Sequence, residues 1–227
     1  MLFFFLDMDL NFSLPPLTFE TIINTLLVPS VFFYYWFNSK MKSNFILYAL
    51  FFSWMGNLFL LINFNPEFQK WIVSSFWISN SLFFIQFINF KREYFFREHL
   101  LGLIFYFSYL IVFLTHVFSS LGEMKLLALV HGLTTAVFGS FTVMQLFKKT
   151  NTTKLILFLG VLFLSIKDVM LTYNKRFFEE EVFSIPISIF QLLGLFLLIR
   201  AFINLERREQ EKFYLRKYRE KFDKLAL

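Results

Sequence analysis

The sequence predicts an all-α polytopic membrane protein, a bundle of about seven transmembrane helices with a C-terminal amphipathic helix. The first supporting observation is composition: 57% of the 227 residues are hydrophobic, whereas soluble domains average about 45–50%. The second is the recurrence of apolar stretches of about 20 residues, the length needed to cross a bilayer. The third is the uneven placement of Lys and Arg between these stretches. The chain has no Cys, which excludes disulfides, thiolate catalysis and Cys-based metal sites.

Seven segments have the length and apolarity of a spanning helix. In chain order we place them at Leu17–Asn38, Phe45–Phe64, Trp71–Phe90, Leu100–Ser120, Leu126–Phe147, Leu155–Tyr173 and Val182–Ile203. The connections between them are short and polar, which favours antiparallel neighbours in an up-and-down bundle. We therefore expect a transmembrane domain over residues 1–203 and a separate tail over residues 204–227.

The basic residues predict the orientation of the chain, because cytoplasmic loops carry an excess of Lys and Arg. One side of the predicted bundle has only Lys70, Lys125, Lys175 and Arg176. The other side has sixteen: Lys40, Lys42, Lys91, Arg92, Arg97, Lys148, Lys149, Lys154, Arg207, Arg208, Lys212, Arg216, Lys217, Arg219, Lys221 and Lys224. This asymmetry predicts an outside N-terminus, a cytoplasmic C-terminus and an odd number of spans.

The tail is predicted to be a basic amphipathic helix. Leu215, Tyr218, Phe222 and Leu225 recur at three- and four-residue spacing and so share one face. Two interpretations remain open. The helix can lie on the anionic cytoplasmic leaflet, which we favour, or the stripe within residues 205–225 can dock a protein partner.

A layer of polar residues is predicted in the outer half of the bundle. With a rise of about 1.5 Å per residue, one polar side chain from each span falls at a similar depth. The layer comprises Asn24, Asn57, Asn80, His116, His131, Asp168 and Gln191. Such residues commonly hydrogen-bond between packed membrane helices, whereas their convergence around an ionisable residue is typical of a polar pocket. Two His without a metal-binding spacing do not predict a metal site.

Lys167 and Asp168 are the only charges in the sixth predicted span. A charge in hydrocarbon costs roughly 2.5–3.5 kcal/mol on insertion scales, so it usually faces a bundle interior or a wet cavity. Adjacent residues point about 100° apart on a helix. We therefore expect Asp168 to face the interior and Lys167 to point sideways, toward the interface or toward another carboxylate. Asp168 is then either a structural ion pair or a functional acid.

Two stretches near the C-terminal end carry a resemblance to a known family: LGVLFLSIKDVMLTYNKRF begins at Leu159 and is followed by SIPISIFQLLGLFLL. They resemble the last two helices of the YhhN-like integral membrane proteins, the family that includes the lysoplasmalogenases. Asp168, Asn174-Lys175 and Gln191 match the family's Asp, Asn-Lys and Gln in these helices. Earlier, Ala49–Ile62 (ALFFSWMGNLFLLI) and Leu129–Thr135 (LVHGLTT) resemble the family's Gly-Asp helix and its fifth-helix run.

The chain departs from the family pattern at defined positions. Asn57 stands where the family has the first acid, and Gln86 stands where the family has a His on the next helix. The family's Lys near the start of its second helix has no clear counterpart, although Asn24 is close to that position. The family usually has eight spans, and the resemblance predicts that the first is missing here.

The resemblance implies hydrolysis of the vinyl-ether bond of lysoplasmalogens or a related lysolipid, with Asp168 and Asn57 at the reacting centre. It suggests that the substrate contacts the other members of the polar layer and Gln86. Asn57 cannot act as a base or stabilise a cation by charge, which favours a second hypothesis, a non-catalytic lipid-binding or accessory membrane subunit. We expect membrane lipid rather than nucleic acid as partner, no cofactor or metal, and a bacterial inner membrane as location.

Overall fold

In the computed structural model the described residues are 19–62, 66–90, 124–148, 151–173 and 184–225, with residues 104, 106–108, 110, 111 and 115. The described part of the chain is helical and contains no strand. Its helices are α1 Phe19–Asn38, α2 Asn44–Ile62, α3 Pro66–Asn89, α4 Lys125–Lys148, α5 Thr152–Tyr173 and α6 Ser184–Leu225. The prediction of an all-α protein is therefore confirmed.

Five described helices, α2 to α6, contain a stretch long and apolar enough to cross a membrane. These stretches coincide with the second, third, fifth, sixth and seventh predicted spans. The first predicted span coincides with α1, which is 20 residues long and contains Pro29. Most of the fourth predicted span lies outside the described residues, so the total of seven stays a prediction, as does the sidedness of the bundle. The chain is an integral membrane protein.

Each helix packs against the next one in chain order, and α6 also packs against α1. All six helices contribute to one apolar core, in which Tyr35, Leu50, Phe83, Leu198 and Phe202 are completely buried. Because α3, α4 and α5 are consecutive neighbours, polar residues at matching heights on these helices can meet.

α5 and α6 pack most closely because two glycines face each other. A Cβ on Gly160 would lie 2.8 Å from the backbone nitrogen of Leu198, and a Cβ on Gly194 would lie 2.8 Å from Leu164 Cγ. Small residues allow membrane helices to approach in this way. The antiparallel register pairs residue 164 with residue 194, so Asp168 lies at about the height of Gln191.

α6 is one continuous helix of 42 residues, without a break at the predicted boundary between residues 203 and 204. At about 1.5 Å per residue it is about 63 Å long, whereas the hydrocarbon core of a bilayer is about 30 Å thick. The buried face continues to Glu206. Beyond it, Phe213, Tyr214, Leu215 and Tyr218 are exposed, and the side chains of Phe222 and Leu225 lie outside the described residues.

Candidate functional site

A buried charged centre joins α4 and α5. The carboxylate of Asp168 lies 2.5 Å from Lys167 Nζ through Oδ1 and 3.0 Å from His131 Nε2 through Oδ2. The Lys167 side chain is only 4% exposed, whereas those of His131 and Asp168 are 13% and 18% exposed. The Lys side chain is therefore the most deeply buried of the three, and those of the His and the Asp are partly exposed.

The expectation that Lys167 points away from Asp168 is wrong. The two Cβ atoms do diverge on the helix, but the flexible four-carbon stem of Lys lets the ammonium group fold back to the neighbouring carboxylate. The same ammonium group lies 3.7 Å from the centroid of the Phe76 ring on α3, within range of a cation–π interaction. The ion pair with Asp168 and the contact with the Phe76 ring together replace the hydration that the ammonium group loses on burial.

The carboxylate of Asp168 fixes the orientation of the His131 ring. A carboxylate only accepts hydrogen bonds, so Nε2 of His131 is the nitrogen that donates. The other ring nitrogen, Nδ1, is buried and has no hydrogen-bond partner among the described residues. In the neutral ring this nitrogen is an acceptor, and in the protonated ring it is a donor. His131 thus holds an atom that can exchange a proton.

A second polar pair, Asn57 and Gln191, lies beside this centre. Gln191 Nε2 donates to Asn57 Oδ1 over 2.8 Å, and both side chains are buried. Phe76 connects the pair to the charges, because a Cβ on Gly56, the residue before Asn57, would lie 2.9 Å from Phe76 Cε1. One aromatic ring therefore packs on the backbone next to Asn57 and also contacts the ammonium group of Lys167.

Asn80 lies one turn from Phe76 along α3. Its Nδ2 donates to Thr135 Oγ1 over 3.1 Å, and Thr135 is one turn from His131 along α4. Asn80 thus joins the two helices that carry Phe76 and His131 and holds them at this height. The side chain of Asn24 and the whole of His116 lie outside the described residues, so their membership of the polar layer stays a prediction.

Gln86 does not belong to this centre. It lies ten residues beyond Phe76 on α3, about 15 Å along the helix axis, and its Oε1 accepts a hydrogen bond of 2.6 Å from Ser43 Oγ, just before α2. The predicted role came from the resemblance at this position, whereas the register of α3 places the side chain toward the opposite end of the bundle.

Sequence reasoning missed a buried network at that opposite end. The carboxylate of Glu206 accepts hydrogen bonds from Tyr35 Oη at 2.7 Å and from Ser39 Oγ at 2.6 Å. The backbone N–H of Ser43 donates to the same Tyr35 oxygen over 2.7 Å. Glu206 is only 3% exposed. The signal in the sequence was its position four residues after Phe202, which continues the buried face of the helix.

Glu206→Ala is expected to lower the free energy of unfolding by about 1–3 kcal/mol, because two buried hydroxyl donors lose their acceptor. The measurement is the unfolding of the full-length protein in detergent solution. Glu211→Ala, which removes an exposed acid farther along α6, is the matched control and should change stability by less than about 0.5 kcal/mol. If the two variants were equally stable, Glu206 would not contribute to the packing of α1 against α6.

Within the described ranges, no group of three or more His, Cys, Asp or Glu side chains is arranged to hold a metal ion. The groups that the centre brings together are an imidazole, a carboxylate and an ammonium group, with an amide pair at their side. This arrangement can hold and transfer a proton.

Fold and centre together define a class: an integral membrane bundle with a buried His–Asp–Lys centre between consecutive helices. A model of the YhhN family matches residues 19–202, and the chain belongs to this family. The matched range contains the whole charged centre and the Asn57–Gln191 pair, and it ends before Glu206. None of the curated proteins and none of the solved structures compared with the chain matches it.

Proposed function

We propose that this YhhN-family protein is a hydrolase of the lysoplasmalogenase type, which cleaves the vinyl-ether bond of a lysolipid in a bacterial cytoplasmic membrane. The observation that carries the proposal is the His131–Asp168 pair, in which the carboxylate holds one ring nitrogen and leaves the other without a partner among the described residues. Family membership and the resemblance at Asp168 and Gln191 support the same class of reaction.

The chemistry of a vinyl ether requires an acid first and a base afterwards. Protonation of the β-carbon converts the ether into an oxocarbenium ion. Water then adds to the carbon bonded to oxygen, loses a proton and forms a hemiacetal. The hemiacetal breaks its other carbon–oxygen bond to give a fatty aldehyde and the free glycerol hydroxyl. One water molecule is consumed, and the proton delivered in the first step is recovered when water is deprotonated.

His131 is the group suited to both proton transfers. Its protonated Nδ1 donates to the β-carbon, and the resulting neutral nitrogen accepts the proton of the attacking water, as in general acid–base catalysis. Asp168 orients the ring through its hydrogen bond with Nε2. The sequence-based hypothesis made Asp168 the acid, but both of its carboxylate oxygens are engaged, one by Lys167 Nζ at 2.5 Å and one by His131 Nε2 at 3.0 Å, so the carboxylate serves better as the orienting group.

Lys167 and the amide pair have supporting roles in this proposal. The Lys167 ammonium group balances the charge of Asp168 and remains sealed from the substrate. Asn57 and Gln191 lie at the height of the centre, and in this proposal their amide groups exchange their mutual hydrogen bond for bonds to the hydroxyls of the glycerol backbone. With Asn57 in place of an acid, Asp168 is the one carboxylate that the described residues place at this centre, and Lys167 already offsets its charge.

The test uses purified full-length protein in lipid nanodiscs and three lysolipids that share a head group. They carry a 1-alkenyl, a 1-alkyl or a 1-acyl chain. We expect aldehyde release from the 1-alkenyl lipid and from neither of the others, because only a vinyl ether forms an oxocarbenium ion on protonation. Folded protein that releases no aldehyde above the protein-free control would overturn the proposal.

The substitution at position 57 favours a second candidate, a lipid-binding subunit without catalysis. Asn57 is neutral and buried, and its side chain accepts a hydrogen bond from Gln191. The position at which the family pattern has an acid is therefore occupied by a neutral side chain that is already hydrogen-bonded. This candidate predicts that a 1-alkenyl and a 1-alkyl lysolipid bind with equal affinity and are both recovered intact. The nanodisc experiment therefore distinguishes the two functions.

A further inference from the structure

We propose that a cleft at the end of the bundle opposite the charged centre binds the phosphate of an anionic phospholipid. The cleft has a volume of about 170 Å³ and is formed where α4, α5 and α6 meet. Thr153 in this cleft lies fifteen residues from Asp168 along α5, about 22 Å along the axis. A single lysolipid could not place its phosphate here and its ether at His131, so this is a separate site.

The charges that line the cleft favour an anion. Lys154, Arg208 and Lys212 contribute three cations, and the lining includes one acid, Glu209. That acid is paired with Lys212 at 2.6 Å, and three cations against one acid give the lining a net positive charge. The planar guanidinium group of Arg208 suits two adjacent phosphate oxygens.

Two buried polar side chains in the same cleft point to a ligand independently of charge. Gln145 and Thr153 are 8% and 4% exposed, line the cleft, and make no hydrogen bond to another described residue. Buried polar groups are normally hydrogen-bonded. An amide N–H and a hydroxyl group in this position are donors that a phosphate oxygen can satisfy.

The start of α5 adds a local preference for negative charge. Asn151 precedes the helix and accepts a hydrogen bond from the backbone N–H of Lys154 through Oδ1 over 3.0 Å. The N-terminus of a helix carries partial positive charge and attracts anions. Thr153 and Lys154 belong to this first turn, so the helix end reinforces the cations around it.

The rest of the lining identifies the source of the phosphate as a lipid. Phe90, Leu157 and Leu205 form an apolar wall of the cleft. An inorganic phosphate ion would gain nothing from such a wall, whereas the first carbons of an acyl chain would pack on it. The distribution of Lys and Arg predicts that this end faces the cytoplasm, where anionic lipids are enriched in the inner leaflet.

Native mass spectrometry of the full-length protein tests the proposal with three probes: phosphatidylglycerol, phosphatidylcholine and inorganic phosphate. We expect stronger retention of phosphatidylglycerol than of phosphatidylcholine, and no comparable retention of inorganic phosphate. Arg208→Gln and Gln145→Leu should each weaken retention of phosphatidylglycerol by about tenfold, because each removes a hydrogen bond to a charged group. Arg207→Gln, an exposed neighbour that does not line the cleft, is the charge-matched control.

Equal retention of the two phospholipids would overturn the proposal, and so would an equal loss in Arg207→Gln and Arg208→Gln, which would indicate only general surface charge. Retention of inorganic phosphate as strong as that of phosphatidylglycerol would replace the lipid with a free anion and contradict the role of the apolar wall. Circular dichroism of each variant verifies that it is folded. Gln145→Leu does not change the net charge, so its effect on retention cannot come from surface charge.

Discussion

Replacing Asp168 with Asn is expected to lower the free energy of unfolding by about 3–5 kcal/mol, the usual effect of breaking a buried ion pair. The change removes the counter-charge of Lys167, whose side chain is 4% exposed and cannot reach water without opening the bundle. The contact with the Phe76 ring contributes about 2 kcal/mol for a desolvated cation, which is less than the expected loss, so it does not replace the carboxylate. The measurement is reversible unfolding of the purified protein in mixed detergent micelles.

The matched control is the double substitution Lys167→Met with Asp168→Asn. It removes both charges, and we expect it to recover most of the lost stability, because neutral buried residues need no counter-ion. Lys217→Met removes an exposed charge on α6 and should change stability by less than about 0.5 kcal/mol. If Asp168→Asn unfolds at the same denaturant concentration as the natural protein, the two charges do not form a buried pair.

His131→Gln is expected to lower the rate of aldehyde release by about 10²- to 10⁴-fold, the contribution of a positioned general acid–base group. The Gln side chain can still donate a hydrogen bond to Asp168, so the fold and the Lys167–Asp168 pair are expected to remain. Its amide has no proton to deliver to carbon at neutral pH. The initial rate with a 1-alkenyl lysolipid, at saturating substrate, measures the effect.

The control for His131→Gln is Thr142→Val on the same helix. Thr142 is buried, and its hydroxyl donates to Gly139 within α4 over 2.7 Å. It lies eleven residues from His131, about 16 Å along the axis, and its replacement should leave the rate nearly unchanged. A His131→Gln protein with normal stability and an undiminished rate would exclude His131 from the proton transfers.

Depth along the helices was predictable from the sequence, because apolar length fixes where a helix lies in the membrane. Counting residues from the ends of the spans brought Asp168, His131, Asn57 and Gln191 to similar heights, and the structure brings these residues together in two neighbouring pairs. Gln86 entered the predicted site through resemblance instead of depth. The register of α3 separates it from Phe76 by ten residues.

The direction of a long side chain was not predictable in the same way. Helical periodicity fixes where the Cβ of Lys167 points, but its ammonium group lies four flexible carbons farther out and follows the nearest carboxylate and ring. Glu206 illustrates a related limit. The tail was predicted to be a separate helix on the membrane surface or docked on a partner, whereas the continuation of α6 carries the buried face of the bundle to Glu206. Only the packing of α1 against α6 supplies the hydroxyl groups that hold its carboxylate.

Deuterium incorporation from D₂O tests the central proposal most directly. The purified protein is given a 1-alkenyl lysolipid in D₂O, and the aldehyde is reduced with borohydride as it forms, which prevents later exchange. Protonation of the vinyl ether predicts an alcohol product with one deuterium at carbon 2, and a loss of this product in His131→Gln. An alcohol without deuterium at carbon 2 would contradict proton delivery to the β-carbon, and with it the role assigned to the His131–Asp168–Lys167 centre.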